Sequence, residues 1–369
     1  MDNSNKLISK KKPIFPISER LSKYLSRHGR NAQIPVYYDD LLRFHGSVSI
    51  YDKNGKDTLW VSVYYSEFDT AEINASLKKI YSLLQADGSD TILQYLNIDS
   101  VDFCTFGNSK PFRVKVRNIL NDNYVYLYIK TADASRIYGL ELESILSPNN
   151  INFLVHKNTL IEEHIIGIPG DDFIENYLDK CNERDKQEIA KEFVKFNERC
   201  FVRLLGDMRS YNYVFVLTND FDRIQYRIRA IDFDQQSYEG NFKVYKPQFL
   251  KENNKLVSMT ARLLQQSSVE QYKNEERSLL AKRASSEKKR LKRLMNCMRR
   301  DKISSDEKVD ELKMGLFEIT GDVNFKKSAN MGDVLQSALE FVIRNYENEN
   351  PHLMKKEGII KDEIPNKME

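Results

Sequence analysis

Between Val101 and Ile165, runs of Val, Phe and Tyr too short to be helices alternate with turn residues and are interrupted once by a helix-like stretch. Few folds accept that order. Val101–Phe106, Phe112–Asn118 and Tyr124–Lys130 read as three strands, because β-branched and aromatic residues suit a pleated, half-buried surface. Gly107-Asn108-Ser109-Lys110-Pro111 and Asn121-Asp122-Asn123 separate them as turns. Ala134–Leu146 predicts a short helix, stopped at Ser147-Pro148 because the residue before a proline is pushed out of the α region. Two further strands, Ile151–Lys157 and Thr159–Ile165, lead to a turn at Gly167-Ile168-Pro169-Gly170. Beyond it the pattern is helical, over Asp172–Leu178 and from Asp185 to about Leu204. Three strands, a helix, two strands, a turn and then helices make an α+β chain.

The flanks add to this plan. Residues 1–16 are polar and basic, with Lys10-Lys11-Lys12, and are expected to form a mobile arm. Residues 17–98 are expected to form a separate α+β extension with a structural or docking role. In it, Asn54-Gly55 joins two alternating runs, Ser47–Tyr51 and Leu59–Tyr65, which is a strong hairpin signal. Ile73, Leu77, Ile80 and Leu84 then recur at helical spacing. Leu256 to about Arg300 reads as a long helix or helix pair, heavily basic from Lys273 to Lys302. An amphipathic segment from Met331 to Tyr346 precedes a charged tail, 347–369, expected to be disordered.

Composition excludes several classes. With 57 Lys+Arg against 54 Asp+Glu, the balance is too even to argue for nucleic acid or membrane on its own. Cys104, Cys181, Cys200 and Cys297 lie far apart, with no C-x-x-C pair, so a zinc site or disulfide framework is not expected. No apolar run approaches the roughly 18 residues of a membrane span. Lys10-Lys11-Lys12 is followed by no apolar core of a secretory signal. The expected setting is the cytoplasm, without membrane contact.

The chemistry concentrates around residue 207. Asp207 is followed five positions later by Asn212, then by a hairpin, Tyr213–Leu217 and Tyr226–Ile231, which runs straight into Asp232-Phe233-Asp234. The hairpin returns a second carboxylate to the loop that carries the first carboxylate and the carboxamide. Phosphoryl transfer from a nucleotide needs hard oxygen ligands for Mg²⁺ and a carboxylate beside the incoming hydroxyl. Asn212 and Asp232 fit the first role, Asp207 the second, and Asp234 is a candidate second-metal ligand. A cation for the phosphates is available in Lys130, at the end of the third strand. Glu141 and Glu143 in the following helix could each brace it. Glu141 is preferred, because Ile145 one turn on would pack beneath the strands.

These motifs resemble the protein-kinase-like superfamily over roughly Val101 to Gly240, and in style its aminoglycoside phosphotransferase and choline-kinase branch. Leu205-Gly206-Asp207 through Asn212 resembles that branch's H-G-D-x-x-x-x-N catalytic loop. Ile231-Asp232-Phe233-Asp234 resembles its metal motif, and Glu163-His164-Ile165-Ile166-Gly167 its strand into the hinge. The resemblance implies a two-lobed fold, with a small antiparallel β N-lobe at 99–166 and a mostly helical C-lobe at 167–346. It implies ATP and Mg²⁺ as cofactors, a small-molecule or protein hydroxyl as acceptor, and adenine against the backbone around Glu162 to Ile165, near Glu163 and His164. Three departures stand out. Leu205 replaces the histidine, no Gly-rich loop precedes Lys130 beyond Gly107-Asn108-Ser109, and no activation-loop segment follows Asp232. The rival expectation is a catalytically inactive pseudokinase whose basic helix, 273–302, binds nucleic acid or an acidic protein.

Overall fold

A computed structural model describes Ile8 and residues 12–349 apart from Asp87, Asn108 and Asp222, with side chains to Tyr346. The expected disordered tail from 350 and most of the expected arm lie outside the described residues. The chain divides into two units. One comprises Ser9–Ser144 and Pro148–Ile166, the other Gly167–Glu369 with Ile145–Ser147 and Met1–Ile8.

The first unit is built on an antiparallel sheet of seven strands. In chain order these are β1 (Gly46–Tyr51), β2 (Asp57–Tyr64), β3 (Leu96–Cys104), β4 (Phe112–Asn118), β5 (Tyr124–Thr131), β6 (Phe153–His156) and β7 (Thr159–Glu163). They lie side by side as β1-β2-β3-β4-β5-β7-β6. Its helices are α1 (Glu19–Arg27), the short α2 (Tyr38–Leu41), α3 (Glu67–Gln85) and α4 (Ala134–Leu146). Alternate residues of the strands bury one face. Val101, Phe112, Val114, Val116, Leu127, Ile129 and Ile161 pack with Ile73, Leu77 and Ile80 of α3 in one core. Ser66 caps α3 by accepting from the Asp69 amide, which fixes where the helix begins.

The N-terminal segment is therefore not a separate extension. Trp60, Val61 and Ser62 of β2 pair with Cys104, Phe103 and Asp102 of β3, so the hairpin continues the sheet and α3 covers it. The physical reason is that β3 would otherwise present an unpaired edge above an uncovered apolar face. The start of the chain is corrected too. Lys12 is buried and ion-paired to buried Asp133, and the Ala134 amide donates to the Phe15 carbonyl at 2.9 Å, so residues 12–15 are anchored at the head of α4.

The second unit opens with β8 (Ile168–Pro169) and the single turn α5 (Gly170–Asp172), then the long α6 (Glu183–Arg203) capped by Asn182. A hairpin of β9 (Tyr213–Asp220) and β10 (Arg223–Ala230) follows, in a three-stranded sheet ordered β10-β9-β8. The remainder is α7 (Asn254–Leu263), α8 (Gln266–Ser286), α9 (Lys288–Met298), α10 (Asp306–Thr320) and α11 (Met331–Glu349). No helix among the described residues is long and apolar enough to cross a membrane.

Candidate functional site

The loop after α6 is shaped by backbone geometry. Leu204 ends the helix in the left-handed region at φ 52°, and Asp207 adopts the same region at φ 58°. Non-glycine residues avoid that region, Asp and Asn least, so the position suits an Asp held by its surroundings. The Gly206 amide donates to Gln235 O at 3.1 Å and the Asp207 amide to Val244 O at 3.3 Å. At Gly206 a Cβ would lie 2.8 Å from Val244 Cγ1 and 3.1 Å from Gln235 O, so this close approach excludes a side chain. Leu205, where the family has histidine, is buried. Gln236 supplies a brace, its Nε2 donating to the carbonyl of Arg203 at 2.6 Å and to Ser237 Oγ at 2.8 Å.

Asn212 and Asp232 are brought together by strand register. β9 and β10 pair from Asp220↔Arg223 to Tyr213↔Ala230, so the residue before β9 faces the residue after β10. The Ile231 amide accordingly donates to Asn212 O at 3.0 Å. Asn212 Nδ2 donates to the Asp207 carbonyl at 2.7 Å, which leaves its Oδ1 without a hydrogen bond among the described residues. The Asp234 amide donates to Asp232 Oδ1 at 3.0 Å, setting the second carboxylate in a tight turn. Asp207, Asn212, Asp232 and Asp234 thus form one polar group.

Asp207 is the perturbed acid of this group. Its carboxyl is pushed up to about 6, chiefly by burial, which outweighs the ion pair with Arg209; the charges of Asp232 and Glu252 push in the same direction. Arg209 Nε donates to Asp207 Oδ1 at 2.8 Å while Nη1 reaches Glu252 at 3.2 Å. The sequence motif marks neither Arg209 nor Glu252. An Arg two residues past the Asp is visible in the chain, but Glu252 is joined to it only by tertiary folding.

Lys130, in the first unit, corrects the expectation drawn for it. Its ammonium pairs with Glu162 of β7 at 2.6 Å, not with Glu141. Glu162 is buried and also lies 3.5 Å from Arg136 Nη1 of α4. Glu141 instead accepts from the Tyr24 hydroxyl at 2.6 Å and faces Arg30 Nε at 3.4 Å, while Glu143 accepts from Asn149 at 3.0 Å. The cause is sheet pairing. Lys130 sits opposite Leu160 and Tyr128 opposite Glu162, so the Glu162 carboxylate lies one diagonal from Lys130 on the same face. Arg113, opposite Tyr128, shares that face, held by Asp102 at 2.8 Å and stacked 4.6 Å from the Trp60 ring.

The remaining candidates are spread out. Gly107 and Ser109 lie in the β3–β4 turn, Gly107 at φ 87° and exposed; Asn108 lies outside the described residues. The amides of Glu163 and His164 already donate within the sheet, to Asn152 O and Tyr126 O, both at 3.0 Å. They are not donors for adenine, and the first amides past the ladder are those of Ile165 and Ile166. The His164 ring lies among Tyr126 and Tyr128, and burial with nearby Arg113 lowers its pKa.

No protein-family model and no curated protein matches this chain. Function is therefore read from the site itself. Among the described residues no three or more His, Cys, Asp or Glu side chains are grouped to hold a metal. The group at 207–234 is of another kind, a carboxamide and carboxylates, hard oxygen donors that suit Mg²⁺ with several waters retained. An open groove lined by Lys195, Glu270 and Asn274, between α6 and α8, shares no residue with this group.

Proposed function

We propose that the chain is a kinase-like phosphotransferase that moves the γ-phosphoryl group of ATP to a hydroxyl acceptor. The observation that carries this reading is the loop at 207–212 joined by hairpin register to Asp232, with an up-shifted acid beside an amide oxygen that takes no hydrogen bond among the described residues. The strand order β3-β4-β5-β7-β6, with α4 between β5 and β6, supports it, since a kinase-like N-lobe places its five strands in that sequence.

Asn212 Oδ1 and Asp232, with Asp234 beside them, would hold Mg²⁺, which when bound neutralises charge on the β- and γ-phosphates. Lys130, fixed by Glu162, would meet the phosphates as a positioned ammonium. Asp207 would orient the acceptor hydroxyl and take its proton, a role that a carboxyl poised near 6 performs at neutral pH. Adenine would fall against the backbone at Ile165 and Ile166. A second reading is favoured by Arg209, whose ion pair occupies Oδ1 of Asp207: a chain that binds nucleotide without transferring its phosphate.

Thermal unfolding with ATP, with and without Mg²⁺, tests binding, and release or incorporation of the γ-phosphate tests transfer. Asp232→Ala and Lys130→Met should each remove the metal-dependent stabilisation. Asp207→Asn should keep it and stop transfer. Stabilisation without any transfer by the wild type would select the second reading, and no stabilisation by ATP and Mg²⁺ would sink both.

A further inference from the structure

The basic run of the sequence divides into two physically different parts. In α8 the cations are neutralised inside the protein: Lys273 pairs with Glu270 at 2.8 Å and Arg277 with buried Glu198 at 2.6 Å. In α9 and the residue pair after it, this is not so. Lys288, Lys289, Lys292, Arg293 and Arg300 are exposed, and none of their side chains has an ion-pair or hydrogen-bond partner among the described residues. No acidic residue occurs between Lys288 and Arg300.

These cations are sorted onto one side. At about 100° per residue, positions 288, 289, 292, 293 and 300 fall within roughly 140° of arc. Leu291, Leu294, Met295, Cys297 and Met298 take the opposite arc and are buried. Within the cationic arc only Asn296 is uncharged, while Arg299 at its edge pairs with Asp333. The stripe is about 18 Å long, with cations recurring every turn or less.

We propose that the outer face of α9 is a docking surface for the phosphate backbone of a nucleic-acid duplex, recognised without regard to sequence. The face lacks the buried aromatic or aliphatic anchors that give a protein interface its affinity, and Lys is depleted in such interfaces. It has no aromatic ring on which a single strand could stack its bases. It has no exposed apolar side chain to enter a bilayer. A row of unpaired ammonium and guanidinium groups suits evenly spaced phosphates, whose counterions are released on contact. The inference is independent of the phosphotransferase reading, because α9 contributes no residue to the group around Asp207.

The test uses the full chain and a fluorescein-labelled duplex of about 24 base pairs, with anisotropy measured from about 50 to 200 mM KCl. Four to five phosphate contacts predict a log–log salt slope of about −4. The triple charge reversal Lys289→Glu, Lys292→Glu, Arg293→Glu should weaken binding at least a hundredfold and flatten the slope, with the melting temperature unchanged. Reversing exposed Lys53 and Lys56 in the β1–β2 turn, a control for net charge, should change affinity less than threefold. Two unrelated duplex sequences should bind alike, and Asp232→Ala should bind as the wild type does. The proposal is overturned if the duplex does not bind at about 50 mM KCl, or if the triple reversal binds like the control. It is equally overturned if single strands, polyglutamate or anionic vesicles bind more tightly than the duplex.

Discussion

Asp207 combines a left-handed backbone with a carboxyl lifted by burial, and the two properties separate under mutation. Its pKa rises from 3.8 to about 6, so the folded protein holds a proton that the unfolded chain has released. The contribution to stability is then full below about pH 4 and is lost as pH rises through about 6. The loss cannot exceed about 3 kcal/mol, the free-energy equivalent of that shift. Asp207→Asn removes the titration and keeps a residue that tolerates positive φ. It should therefore be more stable than wild type at pH 7.5 and little different at pH 4, read by urea unfolding at both values. Asp207→Ala adds strain of about 1 kcal/mol at φ 58°. For transfer, the wild-type rate should rise with pH along a limb centred near 6, and a limb near 4 would show that another group is the base.

At the scale of elements, what could be read from the chain was set by how local the pairing is. The Asn212–Asp232 juxtaposition follows from one hairpin whose two strands are contiguous, and β4 and α4 begin and end where their turn and proline signals place them. β3 starts earlier than its apolar run, at Leu96, because a register shift at Ile98/Ser100 admits the polar Asn97 and Asp99 to the strand. The partner of Lys130 was not legible. Glu162 reaches it across the β5–β7 pairing, which depends on the length of everything between them. The loop brace is likewise tertiary: Gly206 is fixed by Val244 and Gln235, and Leu205 gives no hint of Gln236. Gly206→Ala should cost about 1–3 kcal/mol and disturb the Asp207 loop, since its Cβ would meet Val244 Cγ1 at 2.8 Å. Val244→Ala in the same chain should recover part of both the stability and any transfer activity. A double variant no better than Gly206→Ala would place the strain at the Gln235 carbonyl instead.

At the scale of the molecule, the first unit is closed by its own N-terminus. Lys12, Tyr24 and Arg30 all reach α4, ending on Asp133 or Glu141, so a segment expected to hang free supplies partners for buried carboxylates. The two glutamates considered for one task therefore carry separate ones: Glu141 ties α1 to α4, and Glu162 holds Lys130. Removing one partner of a buried charge leaves the other unsatisfied, which costs about 1–3 kcal/mol. Tyr24→Phe should destabilise by about that amount, and by much less when Glu141 is already Leu, because the hydroxyl then has no carboxylate to serve. The same logic separates the glutamates in function. Glu141→Gln should lower the melting temperature yet keep the full rise with ATP and Mg²⁺. Glu162→Gln should lose most of that rise, since an ammonium without its carboxylate no longer holds one position. If the pattern were reversed, with the nucleotide response lost in Glu141→Gln and kept in Glu162→Gln, the Lys130–Glu162 pair would be structural and Lys130 would take its functional partner from α4.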